Sequence, residues 1–203
     1  MSVVEVMARI AELRAGLIPA ALTAPPATPA VGAPTSFSTL LQSAGTAAPM
    51  TASSVVPAGT GGAGVLAAVQ REVGVAEQPP GSNDAPRIAQ YRQATAGSGV
   101  GPWCAYFASW AAREAGMPVG ENGQGFGSVD ALYGWAQRAG RAVPNGPGVV
   151  PRPGDLIVWD EHIGVVESVQ PDGSVATIEG NSSDQVSRRV HEAGSALGYV
   201  RMG

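Results

Sequence analysis

Apolar residues along the chain keep two rhythms. In the first, they recur every three or four positions, the spacing of one helix face. Val3, Met7, Ile10, Leu13 and Leu17 predict a short amphipathic helix over residues 1–17. A helix of that length is marginal alone and needs a partner surface. Leu66, Val69, Gln70 and Val73 predict a helix ending before Gly74. A further helix follows Asn83 and Asp84, either of which can cap it, with Pro86 in its first turn. A third begins near Pro102 and runs through AYFASWAAREAG to Gly116; a fourth, SVDALYGWAQRAG, has Ser128 as cap and ends at Gly140.

After PNGPGVVPRPGD the rhythm becomes alternation. DLIVWD, HIGVVESV, SVATIEGN, QVSRRVHE and LGYVRM read as strands, with Pro171-Asp172-Gly173 turning the second into the third. Helices first and a meandering antiparallel sheet afterwards predict an α+β fold.

Composition divides the chain before the sheet is reached. No Asp, Glu, Lys or Arg occurs between Arg14 and Arg71, and residues 18–62 are crowded with Ala, Pro, Thr, Ser and Gly. That is linker composition, interrupted by the small apolar island FSTLLQSA over Phe37 to Ala44. The expected organisation is a helix over 1–17, a linker over 18–62 and a domain over 63–203. The net charge is −4 and every basic residue is Arg, with no basic stripe. This argues against nucleic acid as a partner. No apolar run is long enough to span a membrane. Glu5, Arg9, Glu12 and Arg14 interrupt the front segment where a secretory signal needs an unbroken apolar core, so the expected export route is a different one.

The chain has one cysteine, which rules out an intramolecular disulfide and any multi-cysteine zinc site. With Gly101 as N-cap and Pro102 as first residue, Cys104 falls in the first turn of the third helix. There the free N–H groups and the helix dipole favour a thiolate. Free cysteine is also among the most buried residue types, so position alone leaves a structural role open. A nucleophilic thiol needs a base, and only His162 and His191 are available. His162 opens a strand at a tight connection, whereas His191 lies in an Arg-rich stretch and reads as solvated. A base needs an orienting acceptor. Strand alternation brings Val175, Thr177, Glu179 and Asn181 to one side, where a cross-strand approach to His162 is open to them. Asp160 and Glu161 are nearer in sequence, but immediate neighbours on a strand point to opposite faces.

GPWCAYFASW, PRPGDLIVWDEHIGVVESV and TIEGNSSDQVSRRV together resemble the CHAP domain, the cysteine- and histidine-dependent amidohydrolase/peptidase family. The resemblance covers roughly residues 64–203 and implies a papain-like α+β fold with its helices packed on an antiparallel sheet. It implies Cys104 as nucleophile, His162 as base and then acid, Glu179 as the acceptor orienting His162, and Asn181 as a further polar residue beside the site. The implied substrates are amide bonds of peptidoglycan, cut by an N-acetylmuramoyl-L-alanine amidase or an endopeptidase. The Cys104 N–H would be one oxyanion donor. Some relatives bind calcium through alternating acidic residues ahead of the cysteine; here only Asp84 stands in GSNDAPR, so neither a metal nor another cofactor is expected. Trp103, Trp110, Trp135 and Trp159 could line a groove or sit in the core.

The front segment resembles, more loosely, the helix and linker that precede wall-hydrolase domains of some actinobacterial flagellar proteins, with a phage lysin or phage structural hydrolase as the competing context. On that reading residues 1–17 meet a flagellar or phage protein, and the enzyme acts at the cell wall after non-Sec export or lysis. The alternative function is a catalytically unused CHAP-fold assembly or binding protein of such a structure. A third reading is acyl transfer or cleavage of an amide outside the wall, since the same residues serve those reactions on similar folds.

Overall fold

The structure is a computed structural model that describes residues 61–97, 99–192 and 194–203. The helix expected over 1–17, the island Phe37 to Ala44 and nearly all of the linker lie outside the described residues. Among the described residues there are four helices and six strands: α1 (Gly62–Gln70), α2 (Pro86–Arg92), α3 (Cys104–Glu114), α4 (Val129–Arg138), β1 (Ala142–Pro144), β2 (Leu156–Val158), β3 (Ile163–Val169), β4 (Val175–Glu179), β5 (Ser187–His191) and β6 (Gly198–Val200). This is the α+β arrangement expected, and no described helix is long and apolar enough to cross a membrane.

All neighbouring strands run antiparallel in the order β1-β6-β2-β3-β4-β5. The meander covers β2 to β5; β6 then returns to insert between β2 and β1. Alternation gives the sheet two distinct faces. Leu156 and Val158 of β2, Ile163 and Val165 of β3, Ile178 of β4 and Val200 of β6 join the main core with the helices. Ile157, Val166, Val175 and Tyr199 form a smaller cluster on the opposite face.

The main core is organised by α3, which contacts α1, α2, α4 and β3. Its alanines, Ala105, Ala108, Ala111 and Ala112, are all buried, and such short side chains let neighbouring elements approach closely. Phe107 and Trp110 pack against Tyr91 of α2 with ring centroids 5.0 and 4.9 Å apart. Each such ring, taken fully out of water, stabilises the fold by about 2 kcal/mol.

Several helix ends differ from their expected positions for local reasons. α1 stops at Gln70, leaving Val73 beyond it and partly exposed. The N-cap of α2 is Ala85, without a side-chain cap; Asp84 instead accepts from the Ala85 N–H and from Arg92. Pro86 does occupy the first turn. Ser128 caps α4 as expected, its hydroxyl accepting from the Ala131 N–H at 3.3 Å. The Asp155 of Pro-Gly-Asp is buried and structural: it accepts from Arg201, from the Arg152 N–H and from the Met202 N–H, tying the start of β2 to the chain after β6.

Candidate active site

Cys104 is the first residue of α3, and the N-cap is Trp103. The helix therefore begins two residues later than Pro102 at its first position would have it. The cause is tertiary: the Trp103 indole is fully buried and its Nε1–H donates to Glu77 Oε1 at 2.9 Å. Glu77 is itself held by the Asn83 N–H at 2.7 Å. Cys104 nevertheless stays in the first turn, where the N–H of a helix's first residue has no partner within the helix.

His162 ends the short β2–β3 connection, which the Trp159 N–H closes by donating to the His162 carbonyl at 2.9 Å. Its side chain meets Cys104 on one side and Glu179 on the other. The His162 Nε2 lies 2.9 Å from Glu179 Oε2. An ionised carboxylate only accepts, so Nε2 carries the proton, leaving Nδ1 to face the thiol.

Two glycines make this approach possible. A Cβ on Gly164 would lie 2.7 Å from Glu179 Cγ, so the side chain of Glu179 occupies the space that any larger residue there would fill. A Cβ on Gly180 would lie 2.7 Å from Phe107 Cβ. The end of β4 is thus seated directly on α3, one turn beyond Cys104. The glycines of His-Ile-Gly and Glu-Gly-Asn are explained by these contacts.

The Glu179 side chain is 3% exposed and has three donors. Besides His162, Thr177 donates its hydroxyl to Oε1 at 2.5 Å, and His191 Nε2 lies 2.5 Å from the same oxygen. Burial alone would raise the Glu179 pKa, but the bonds from His162, Thr177 and His191 overcome it and bring the value to about 2. For His162, burial would favour the neutral ring, yet the hydrogen bonds and negative charges of Cys104 and Glu179 prevail. They raise its value to about 9. The arrangement favours an imidazolium held between the thiol and an ionised carboxylate.

Of the four residues singled out from sequence, the fold brings Cys104, His162 and Glu179 together. β4 ends at Glu179, and Asn181 takes a left-handed φ of 56°, so strand alternation does not carry its side chain onto Glu179's side. Among the described residues it has no hydrogen bond to the other three. The solvated reading of His191 is corrected: besides its bond to Glu179, its ring packs 4.4 Å from that of Trp159. Trp159 also stacks on His162 at 5.9 Å. Trp103, Trp110 and Trp135 are core residues.

A cleft of about 370 Å³ opens beside Cys104, lined by Pro102, Gly127, Ser128, Val129, Asp130, Asp160 and Glu161. One wall is braced by Ser109 of α3, whose hydroxyl donates to the Phe126 carbonyl at 3.1 Å and accepts from the Phe126 N–H at 2.9 Å. Among the described residues no group of three or more His, Cys, Asp or Glu side chains is arranged to hold a metal ion.

Residues 95–181 match the CHAP domain family. No curated protein and no solved structure matches the chain. CHAP domains are usually cysteine- and histidine-dependent amidohydrolases or peptidases, a chemistry that suits the thiol, imidazole and carboxylate described above. The span matched to the CHAP domain contains Cys104, His162, Glu179 and Asn181, while His191 lies outside it.

Proposed function

We propose that this CHAP domain is a peptidoglycan hydrolase that cleaves an amide bond through a covalent intermediate on Cys104. The observation that carries the reading is the unbroken line from the Cys104 thiol through His162 to the buried carboxylate of Glu179. In the reaction the Cys104 thiolate attacks the amide carbon, and the oxygen that becomes negative takes up the Cys104 N–H. The His162 imidazolium gives its proton to the leaving nitrogen as the C–N bond breaks, which releases an amine and leaves a thioester. His162, now neutral, takes a proton from water as that water attacks the thioester. The product is a carboxylic acid, and the thiolate and imidazolium return. Glu179 keeps His162 in the tautomer that faces the thiol and steadies its positive charge.

The cleft supports a substrate with a positive charge close to the scissile bond. Asp130, Asp160 and Glu161 contribute three carboxylates to its lining and no basic side chain opposes them. The free amine of a diamino acid in a peptidoglycan stem peptide has that charge. We assign hydrolysis to the residues from α1 onward and delivery to the segment before them. On this division, deletion of residues 1–60 leaves hydrolysis of soluble muropeptides intact.

End-group analysis of digested peptidoglycan tests the reading. An amidase frees the amine of the first stem residue and the lactyl carboxylate of muramic acid; an endopeptidase frees an amine and a carboxylate within the stem or cross-bridge. Digestion of several wall types with no new ends of either kind counts against a wall substrate.

A further inference from the structure

Glu179 is held from both sides by imidazoles. His162 lies 2.9 Å from Oε2 and His191 2.5 Å from Oε1. The two histidines come from opposite neighbours of β4: His162 stands just before β3, and His191 is the last residue of β5. Trp159 closes the circuit, its ring stacked on His162 at 5.9 Å and set against His191 at 4.4 Å. Its own indole N–H donates to the Ser195 hydroxyl at 3.3 Å.

We infer that His191 is a positioning residue for the Cys104–His162 pair, holding Oε1 of Glu179 so that Oε2 stays aimed at His162. This rests on the reading of Cys104 as the nucleophile. A carboxylate bonded through one oxygen can turn about its last torsion, which is broad. With both oxygens held, the plane of the carboxylate is fixed, and with it the direction in which His162 presents Nδ1 to the thiol. Thr177 donates to the same Oε1, but it lies two residues from Glu179 on the same strand and anchors the carboxylate only from along β4. His191 supplies the anchor from across the sheet. Its Nε2 must carry a proton for this, because the carboxylate only accepts.

Alkylation of Cys104 by iodoacetamide at neutral pH provides a readout that needs no substrate. Cys104 is the only thiol in the chain, so intact-protein mass reports its reaction alone. His191→Phe keeps an aromatic ring against Trp159 and removes the donor. His191→Gln places an amide N–H at nearly the reach of Nε2. With a hydrogen bond to a charged group at stake, His191→Phe is expected to slow alkylation about tenfold. It should also lower kcat on peptidoglycan by a similar factor with KM unchanged, while His191→Gln stays within about threefold of wild type.

Wild-type alkylation rates in His191→Phe would overturn the inference. A loss in His191→Gln with wild-type rates in His191→Phe would assign the effect to packing on Trp159, and equal losses in both would show that a donor at this position does not restore the thiol; either result would overturn it too. If the alkylation pattern holds but no wall type is hydrolysed, the positioning role stands and the wall substrate falls.

Discussion

His162 Nε2 and Glu179 Oε2 lie 2.9 Å apart, joined across the paired strands β3 and β4 where Gly164 leaves room for the glutamate side chain. Loss of that carboxylate should disable His162 without dismantling the fold. Glu179→Gln keeps the shape, but its amide can offer an N–H to the imidazole and so favour the tautomer with its proton toward Cys104. A drop in kcat of about 10³-fold is expected, with the domain still folded by circular dichroism. Full activity in Glu179→Gln would remove the carboxylate from the account.

The pH dependence follows from the same pair. The His162 value is raised from 6.5 to about 9. Its contribution to stability is therefore complete below about pH 6.5 and is lost as pH rises through about 9. Glu179 is lowered from 4.5 to about 2; its contribution is complete above about pH 4.5 and is lost as pH falls toward 2. Because the protonated ring must deliver a proton to the leaving amine, kcat/KM should fall on the alkaline side near pH 9. An alkaline limb centred near the ordinary histidine value would contradict the geometry.

Gly164→Ala offers a test in which no polar group is touched. The added methyl would fall 2.7 Å from Glu179 Cγ, and relieving that contact by moving the carboxylate costs alignment with His162. A stability loss of about 1–3 kcal/mol is expected from overpacking, together with a kcat loss exceeding tenfold. Chemical denaturation and steady-state kinetics read the two separately. Unchanged kcat would mean that Glu179 can shift without consequence.

The acidic lining of the cleft predicts a preference between substrates. Replacing Asp130, Asp160 and Glu161 together by Asn, Asn and Gln should raise KM several-fold for a stem peptide with a free cationic amine. It should leave KM unchanged for the same peptide acetylated on that amine. The difference should shrink as salt is added, since exposed charges are screened. Equal KM changes for both peptides would dissociate these carboxylates from substrate charge.

What the sequence made legible was local or periodic. Ser128 announced α4 because its capping bond reaches only to Ala131. β2, β3, β4 and β6 were legible because one face of each is buried on the helices. β1 has no signature in the sequence: it has three residues, ends in Pro144 and exists by pairing with distant β6. The start of α3 was displaced because Trp103 answers to Glu77, far earlier in the chain. The place of His191 is hidden in the sequence for a similar reason. Nothing in an Arg-rich stretch signals that β5 will bring the ring to the second oxygen of Glu179. Asn181 lies past the end of β4, where strand alternation no longer sets the direction of a side chain.

The most direct test of the account is the mass of the intact protein, quenched in acid during turnover of solubilised peptidoglycan. The account predicts a transient increase equal to the acyl half of the substrate, mapped to the peptide containing Cys104 and absent from folded Cys104→Ala, which should also lose at least about 10⁴-fold in rate. Product formation that persists in Cys104→Ala would contradict it. So would an adduct-free wild type without turnover on any wall, which would leave the assembly role as the better reading.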